Sequence, residues 1–160
     1  MAWDRATVER LGFVGFVSFA DLRAGKLMDV TENACAYVVF RTGSKRPSFL
    51  AISTGGWFQG RDPSVDLRML KSKWIDGCPV LYIGKADRLR RRLKQFSDFG
   101  LGRNVGHWGG RYLWHLADSA ELLVAWKRCA PDETAADLET RLLHQFVADY
   151  GALPFANLRA

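Results

Sequence analysis

At 160 residues, with 48% of them hydrophobic and only 5 prolines, the chain has the size of one domain with a real core, which excludes a low-complexity or disordered protein. Its formal charge of +6 excludes an acidic scaffold and favours a polyanionic partner. Nucleic acid is expected ahead of a membrane, because no long apolar or amphipathic anchor accompanies the charge. Cys35, Cys78 and Cys129 lie far apart beside apolar residues, and His107, His115 and His144 add no metal-ligand spacing. Neither a disulfide framework nor a structural zinc is therefore expected, and reduced thiols fit a cytoplasmic protein.

In chain order, Leu11 to Ala20 is apolar but too short to span a bilayer, and it is expected to pack on the domain. Ala34 to Arg41 and Ser48 to Ser53 read as strands, followed by a polar loop with Gly55, Gly56, Gly60 and Pro63. Ser64 to Trp74 places Val65, Leu67, Leu70 and Trp74 at helical spacing. Val80 to Ile83 is a short buried-type strand that ends at Gly84. A helix follows, with Asp87 as its expected cap and Leu89, Leu93 and Phe96 on one apolar face. Beyond the glycine-rich passage Gly100 to Gly110, Tyr112 to Leu116 and Glu121 to Lys127 read as further strands. The last helix should begin near Pro131 or Asp132, carry a capping box at Thr134 and Asp137, and stop at Gly151.

Charge is not spread evenly over these elements. Between Pro79 and His115 stand Lys85, Arg88, Arg90, Arg91, Arg92, Lys94, Arg103 and Arg111 against only Asp87 and Asp98, an excess equal to that of the whole chain. Arg92 lies beside the apolar stripe, where it can lean back over the strand end, while Arg90, Arg91 and Lys94 point outward. A solvated basic helix face accounts for such a run equally well. In the last helix Glu139 aligns with Leu143, Phe146 and Tyr150, at the rim of the buried face. An acid there calls for a cation or a metal, or it pairs at the surface with Arg141 or Arg92.

Ala36-Tyr37-Val38, then Tyr82-Ile83-Gly84-Lys85 with Arg92 ten residues past the tyrosine, then Glu139, then Pro154-x-x-Asn157, together resemble the GIY-YIG nuclease superfamily. The resemblance spans residues 34 to 158. It implies an α+β fold with a small antiparallel sheet of about three core strands flanked by helices. Residues 1–33 become an N-terminal extension packed on the core, and residues 34–160 a nuclease domain with an insert at 44–78. It also implies a metal-dependent DNA endonuclease using Mg²⁺ or Mn²⁺. A non-catalytic nucleic-acid-binding module, or action on single-stranded DNA, branched DNA or RNA, stands as the alternative. No membrane partner is expected.

Carried over by position, the implied site comprises Tyr37, Tyr82, Lys85, Arg92, Glu139 and Asn157, with Glu139 holding the metal. An arginine fork matches phosphate oxygens better than a lysine does. A phenol with an ordinary pKa of about 10 needs nearby cations to act as a base. Tyr37 is taken as the general base and Tyr82 as the positioner of phosphate or water, although the reverse assignment fits the sequence too. Arg88, Arg90, Arg91, Lys94, Arg103 and Arg111 would hold the substrate backbone. His107 is either a second base or proton donor, or a ring tied to its loop.

Two departures from the pattern stand out. Ala36 replaces the usual glycine. The insert separating Tyr37 from Tyr82, with Trp57, Phe58, Gln59, Arg61 and Trp74, is far longer than the resemblance leads one to expect, and is either a substrate-binding lid or extra packing.

Overall fold

Period-two alternation along Cys35–Phe40 (β2) decides how the two cores are filled. Cys35, Tyr37 and Val39 enter one hydrophobic cluster and Ala36, Val38 and Phe40 the other, and all six are buried. A strand buried on both faces must be central, and β2 is flanked by Val80–Ala86 (β3) and Leu123–Arg128 (β4), both antiparallel to it. The computed structural model, which describes residues 1–159, places these strands in a four-stranded antiparallel sheet. The fourth strand, Val14–Ser18 (β1), pairs with β4 to give the order β1-β4-β2-β3. The fold is thus α+β as expected, but the sheet has four strands rather than about three, because Val14–Ser18 of the N-terminal segment joins it while residues on either side, such as Val8 and Phe19, pack on its faces. A register shift and a positive φ of 55° at Phe16 kept β1 from reading as a plain alternating strand.

Helices cover both faces. Arg5–Arg10 (α1) and Ala135–Tyr150 (α5) pack on the Ala36 face, through Val8, Leu138, Leu142 and Phe146. Phe19–Arg23 (α2) and Leu89–Gly100 (α4) pack on the Tyr37 face, through Phe19, Leu22, Leu89, Leu93 and Phe96. The capping box at Thr134 and Asp137 is present, and Gly151 ends α5 with a left-handed φ of 72°.

Several expectations from sequence are corrected. Asp87 does not cap α4. Its first amides are taken by loop carbonyls instead, Leu89 N–H donating to Asn33 O and Arg90 N–H to Thr31 O. Ser48 to Ser53 does not enter the sheet and makes only an isolated bridge, Phe49 to Leu116. Its backbone runs along Trp108–His115, with Leu50 N–H donating to His115 O. That second segment is a 3₁₀-helix and not a strand. Tyr112, Leu113, Trp114 and His115 are all buried, so no alternation existed to mark either structure. The helix expected over Ser64 to Trp74 is shorter, Leu67–Lys73 (α3), with Asp66 as its cap. Trp74, half-buried, packs edge-on against Phe49 and Phe155 at the border of the core.

Candidate functional site

The pairing of β2 with β3 builds the site's floor. Tyr37 lies opposite Gly84 and Val39 opposite Tyr82, while Phe40 is opposite Val80, which leaves Leu81 as the extra residue of a bulge. The register is unbroken from Tyr37 to Val39, so Tyr82 and Tyr37 share a face, with ring centroids 6.0 Å apart, and the bulge beyond them turns Leu81 to that face too. The space over Gly84 is filled by both rings. A Cβ there would stand 2.7 Å from Tyr37 Cζ and 2.7 Å from Tyr82 Cε1, so glycine is what lets the two tyrosines converge.

Beneath the surface the floor is dry. Tyr37 has no exposed surface, and its hydroxyl shares a 3.0 Å hydrogen bond with Nε2 of the equally buried His107. The His107 ring stacks on Phe96, with centroids 3.6 Å apart and planes 4° from parallel, and its Nδ1 has no partner among the described residues. Burial, helped by the neighbouring Tyr82, pushes the Tyr37 phenol well above its ordinary range, opposed only in part by the Arg92 guanidinium. Burial and the Arg92 charge hold His107 well below the usual imidazole value. Phenol and imidazole are therefore both neutral at physiological pH.

Above this floor a cleft of about 660 Å³ runs along the edge strand β3, lined by Tyr82, Lys85, Arg92, Trp108, Arg111, Glu139 and Asn157 among others. An edge position makes the mixture possible. Tyr82 comes from the α4 face of β3 and Lys85 from its α5 face, where Lys85 Nζ meets Glu139 Oε2 at 2.9 Å. Lys85 is half exposed, whereas the Glu139 side chain keeps 17% of its surface. Arg92 donates from Nη1 to Gly106 O at 2.9 Å, which aims the guanidinium across the cleft from α4. Burial raises the Tyr82 phenol above its ordinary range, with Arg92 lowering it and Glu139 raising it further.

The remaining sequence-predicted residues divide. Asn157 touches the cleft, yet its side-chain amide is used up on β3: Oδ1 accepts from Ile83 N–H at 2.9 Å and Nδ2 donates to Ile83 O at 2.8 Å. Arg88 and Arg90 share Glu32, and Lys94 and Arg103 share Asp98. Arg90 also donates to Val30 O, tying α4 to the loop before β2. Arg91 is exposed, and Arg111 lies over Trp108 at 4.6 Å. Glu139 does not pair with Arg141, which is taken by Glu133. His115 is an interior tie, its Nε2 accepting from Val65 N–H at 3.1 Å and its Nδ1 donating to Leu50 O at 2.8 Å. His144 is exposed on α5. The three cysteines are free, and burial raises the Cys35 thiol to about 11.

No protein-family model, no curated protein and no solved structure matches the chain. Among the described residues no helix is long and apolar enough to cross a membrane, and no group of three His, Cys, Asp or Glu side chains could hold a metal ion by itself. The residue that sequence reasoning passed over is Trp108. An aromatic between glycines and arginines was the available signal.

Proposed function

We propose that this chain is a metal-dependent endonuclease of the GIY-YIG type, hydrolysing phosphodiester bonds in DNA. The observation that carries the proposal is the single cleft into which three separate elements, β3, α4 and α5, direct Tyr82, Lys85, Arg92 and Glu139. A phenol, two cations and one carboxylate around one cleft suit a phosphodiester better than an uncharged substrate. The arginine fork supplies two donors to non-bridging oxygens where charge builds in the transition state.

A divalent ion fits the donor set. Mg²⁺ commonly keeps several waters and takes one or two carboxylates plus substrate oxygens, and Glu139 is the carboxylate lining this cleft. Such an ion would neutralise charge on the scissile phosphate. Lys85, half exposed, is free to leave Glu139 and turn to a phosphate oxygen.

The roles of the tyrosines follow from burial. Tyr37, expected as the base, has no exposed surface with which to touch a water. Its part is to support Tyr82 from below, and Tyr82 lines the cleft where the reacting water or phosphate would sit, with Arg92 offsetting only part of the rise that burial gives its pKa.

Incubation with supercoiled plasmid, single-stranded DNA, branched DNA and RNA, in Mg²⁺, Mn²⁺ or EDTA, tests the reading. Metal-dependent cleavage is expected, and it should fall by roughly 10²-fold or more in Glu139→Ala and in Arg92→Ala while binding persists. Undiminished cleavage by either variant overturns the assignment. One observation favours a non-catalytic nucleic-acid-binding module instead: the Lys85–Glu139 ion pair neutralises the cleft's carboxylate. Absence of metal-dependent cleavage on every substrate would decide for it.

A further inference from the structure

Part of the insert between β2 and β3 is fastened at both ends to the chain on either side of the cleft residues Trp108 and Arg111. At Gly56 an added Cβ would stand 1.8 Å from the Arg103 carbonyl oxygen, so the chain passes the loop after α4 at a distance only glycine allows. The Gln59 amide donates to Asn104 Oδ1 at 3.2 Å on the same loop. On the far side, Val65 N–H is held by His115 Nε2. Between these anchors the chain delivers Arg61 onto the indole of Trp108, with the guanidinium carbon 4.6 Å from the ring centroid. Arg111 lies over the same ring at 4.6 Å and donates to Trp108 O at 3.3 Å. Trp108 and Arg111 both line the cleft that holds Arg92 and Glu139.

Two guanidiniums on one indole repel each other, and the ring face offsets that only in part. Elsewhere in the basic run Lys94 and Arg103 are paired with Asp98 and Arg88 and Arg90 with Glu32, whereas Arg92, in the same cleft, is held only by Gly106 O. Among the described residues, neither Arg61 nor Arg111 joins an ion pair. Burial lowers the Arg111 pKa, and the Arg61 charge lowers it further. What completes such a pair is an anion with several acceptor oxygens, and guanidinium forks match phosphate.

We propose that Arg61 and Arg111, held on Trp108, form a second phosphate subsite that grips a flanking phosphate of the nucleic-acid strand whose scissile phosphate lies at Arg92 and Glu139. This rests on the nucleic-acid reading of the cleft. The insert thereby acquires a role in binding, because its 56–61 stretch extends the substrate track beyond the reacting phosphate. A nucleic-acid strand is favoured over an acidic peptide because the subsite is continuous with the cleft, so one strand can occupy both.

The test is fluorescence anisotropy with fluorescein-labelled single-stranded and duplex oligonucleotides in EDTA, over a salt series, so that binding is read apart from cleavage. For Arg61→Gln and for Arg111→Gln, the slope of log affinity against log salt is expected to shallow by up to about 0.7 on single strands and about 0.9 on duplex, the release of the one phosphate the pair holds. Arg61→Lys should restore the slope, and Arg5→Gln, on α1, should leave it unaltered. Wild-type slopes in both glutamine variants overturn the subsite while leaving the cleft reading intact. A wild-type protein that binds neither oligonucleotide with any salt slope sinks the cleft reading and the subsite with it. Shallowed slopes in a protein that cleaves nothing uphold the subsite and count against hydrolysis alone.

Discussion

The floor and the rim of the cleft are built on opposite principles. Tyr37, His107 and Phe96 form a sealed stack in which each polar group has at most one partner and no water contact. At the rim, Lys85 and Arg61 stand in solvent, engaged by an exchangeable ion pair and a ring face. In the floor, geometry is fixed by close packing and low dielectric, so a single lost atom is felt. At the rim, charges are screened and replaceable, so substitution should alter what is bound more than whether the chain folds.

The contrast breaks most sharply at His107. His107→Ala removes the ring stacked on Phe96 and leaves the Tyr37 hydroxyl buried without a partner, which should cost about 2–4 kcal/mol in denaturant unfolding. A cost below about 0.5 kcal/mol would show the floor to be as pliable as the rim. Gly84→Ala forces a methyl into both tyrosine rings and is expected to cost about 1–3 kcal/mol, with a change in tyrosine near-ultraviolet dichroism.

Acid should act on the floor too. The folded His107 pKa is depressed, so the unfolded chain takes up a proton first as pH falls below about 6.5. Stability contributed here is complete above that value and lost on acidification, by about 1.4 kcal/mol per pH unit at most. Unfolding midpoints measured between pH 7 and 5 check it, and His107→Gln should flatten this part of the curve. The smallest effect belongs to the rim: Lys85→Ala should move stability by no more than about 0.5 kcal/mol. A larger loss would mean that the Lys85–Glu139 pair is structural.

Legibility in the sequence followed how local each signal was. The caps of α5 could be read because Thr134, Asp137 and Gly151 act within a turn of themselves. The strands β2, β3 and β4 could be read from short apolar runs. What distant segments supply could not. The start of α4 is satisfied by carbonyls of residues 31 and 33, so Asp87 was a plausible cap with nothing to do. Tyr82, Lys85, Arg92 and Glu139 were named from sequence, and they meet in one cleft. That Tyr37 lies under that cleft and not in it depends on His107, whose partner is seventy residues away. The basic run likewise looked uniform, whereas half of its members are spent on Glu32 and Asp98.

The clasp of Asn157 on β3 has a consequence for how this molecule behaves among its own kind. Beside it, Ala156 N–H donates to Leu81 O at 2.8 Å, so two residues of an irregular tail occupy three hydrogen-bonding groups of a strand with no neighbour on that side. An unguarded strand border is a template on which a second chain can grow by strand addition. Here the tail acts as a sacrificial half-strand, denying that template to neighbours at high concentration while leaving the Tyr82 and Lys85 side chains, which project to either side of the sheet, open to the cleft.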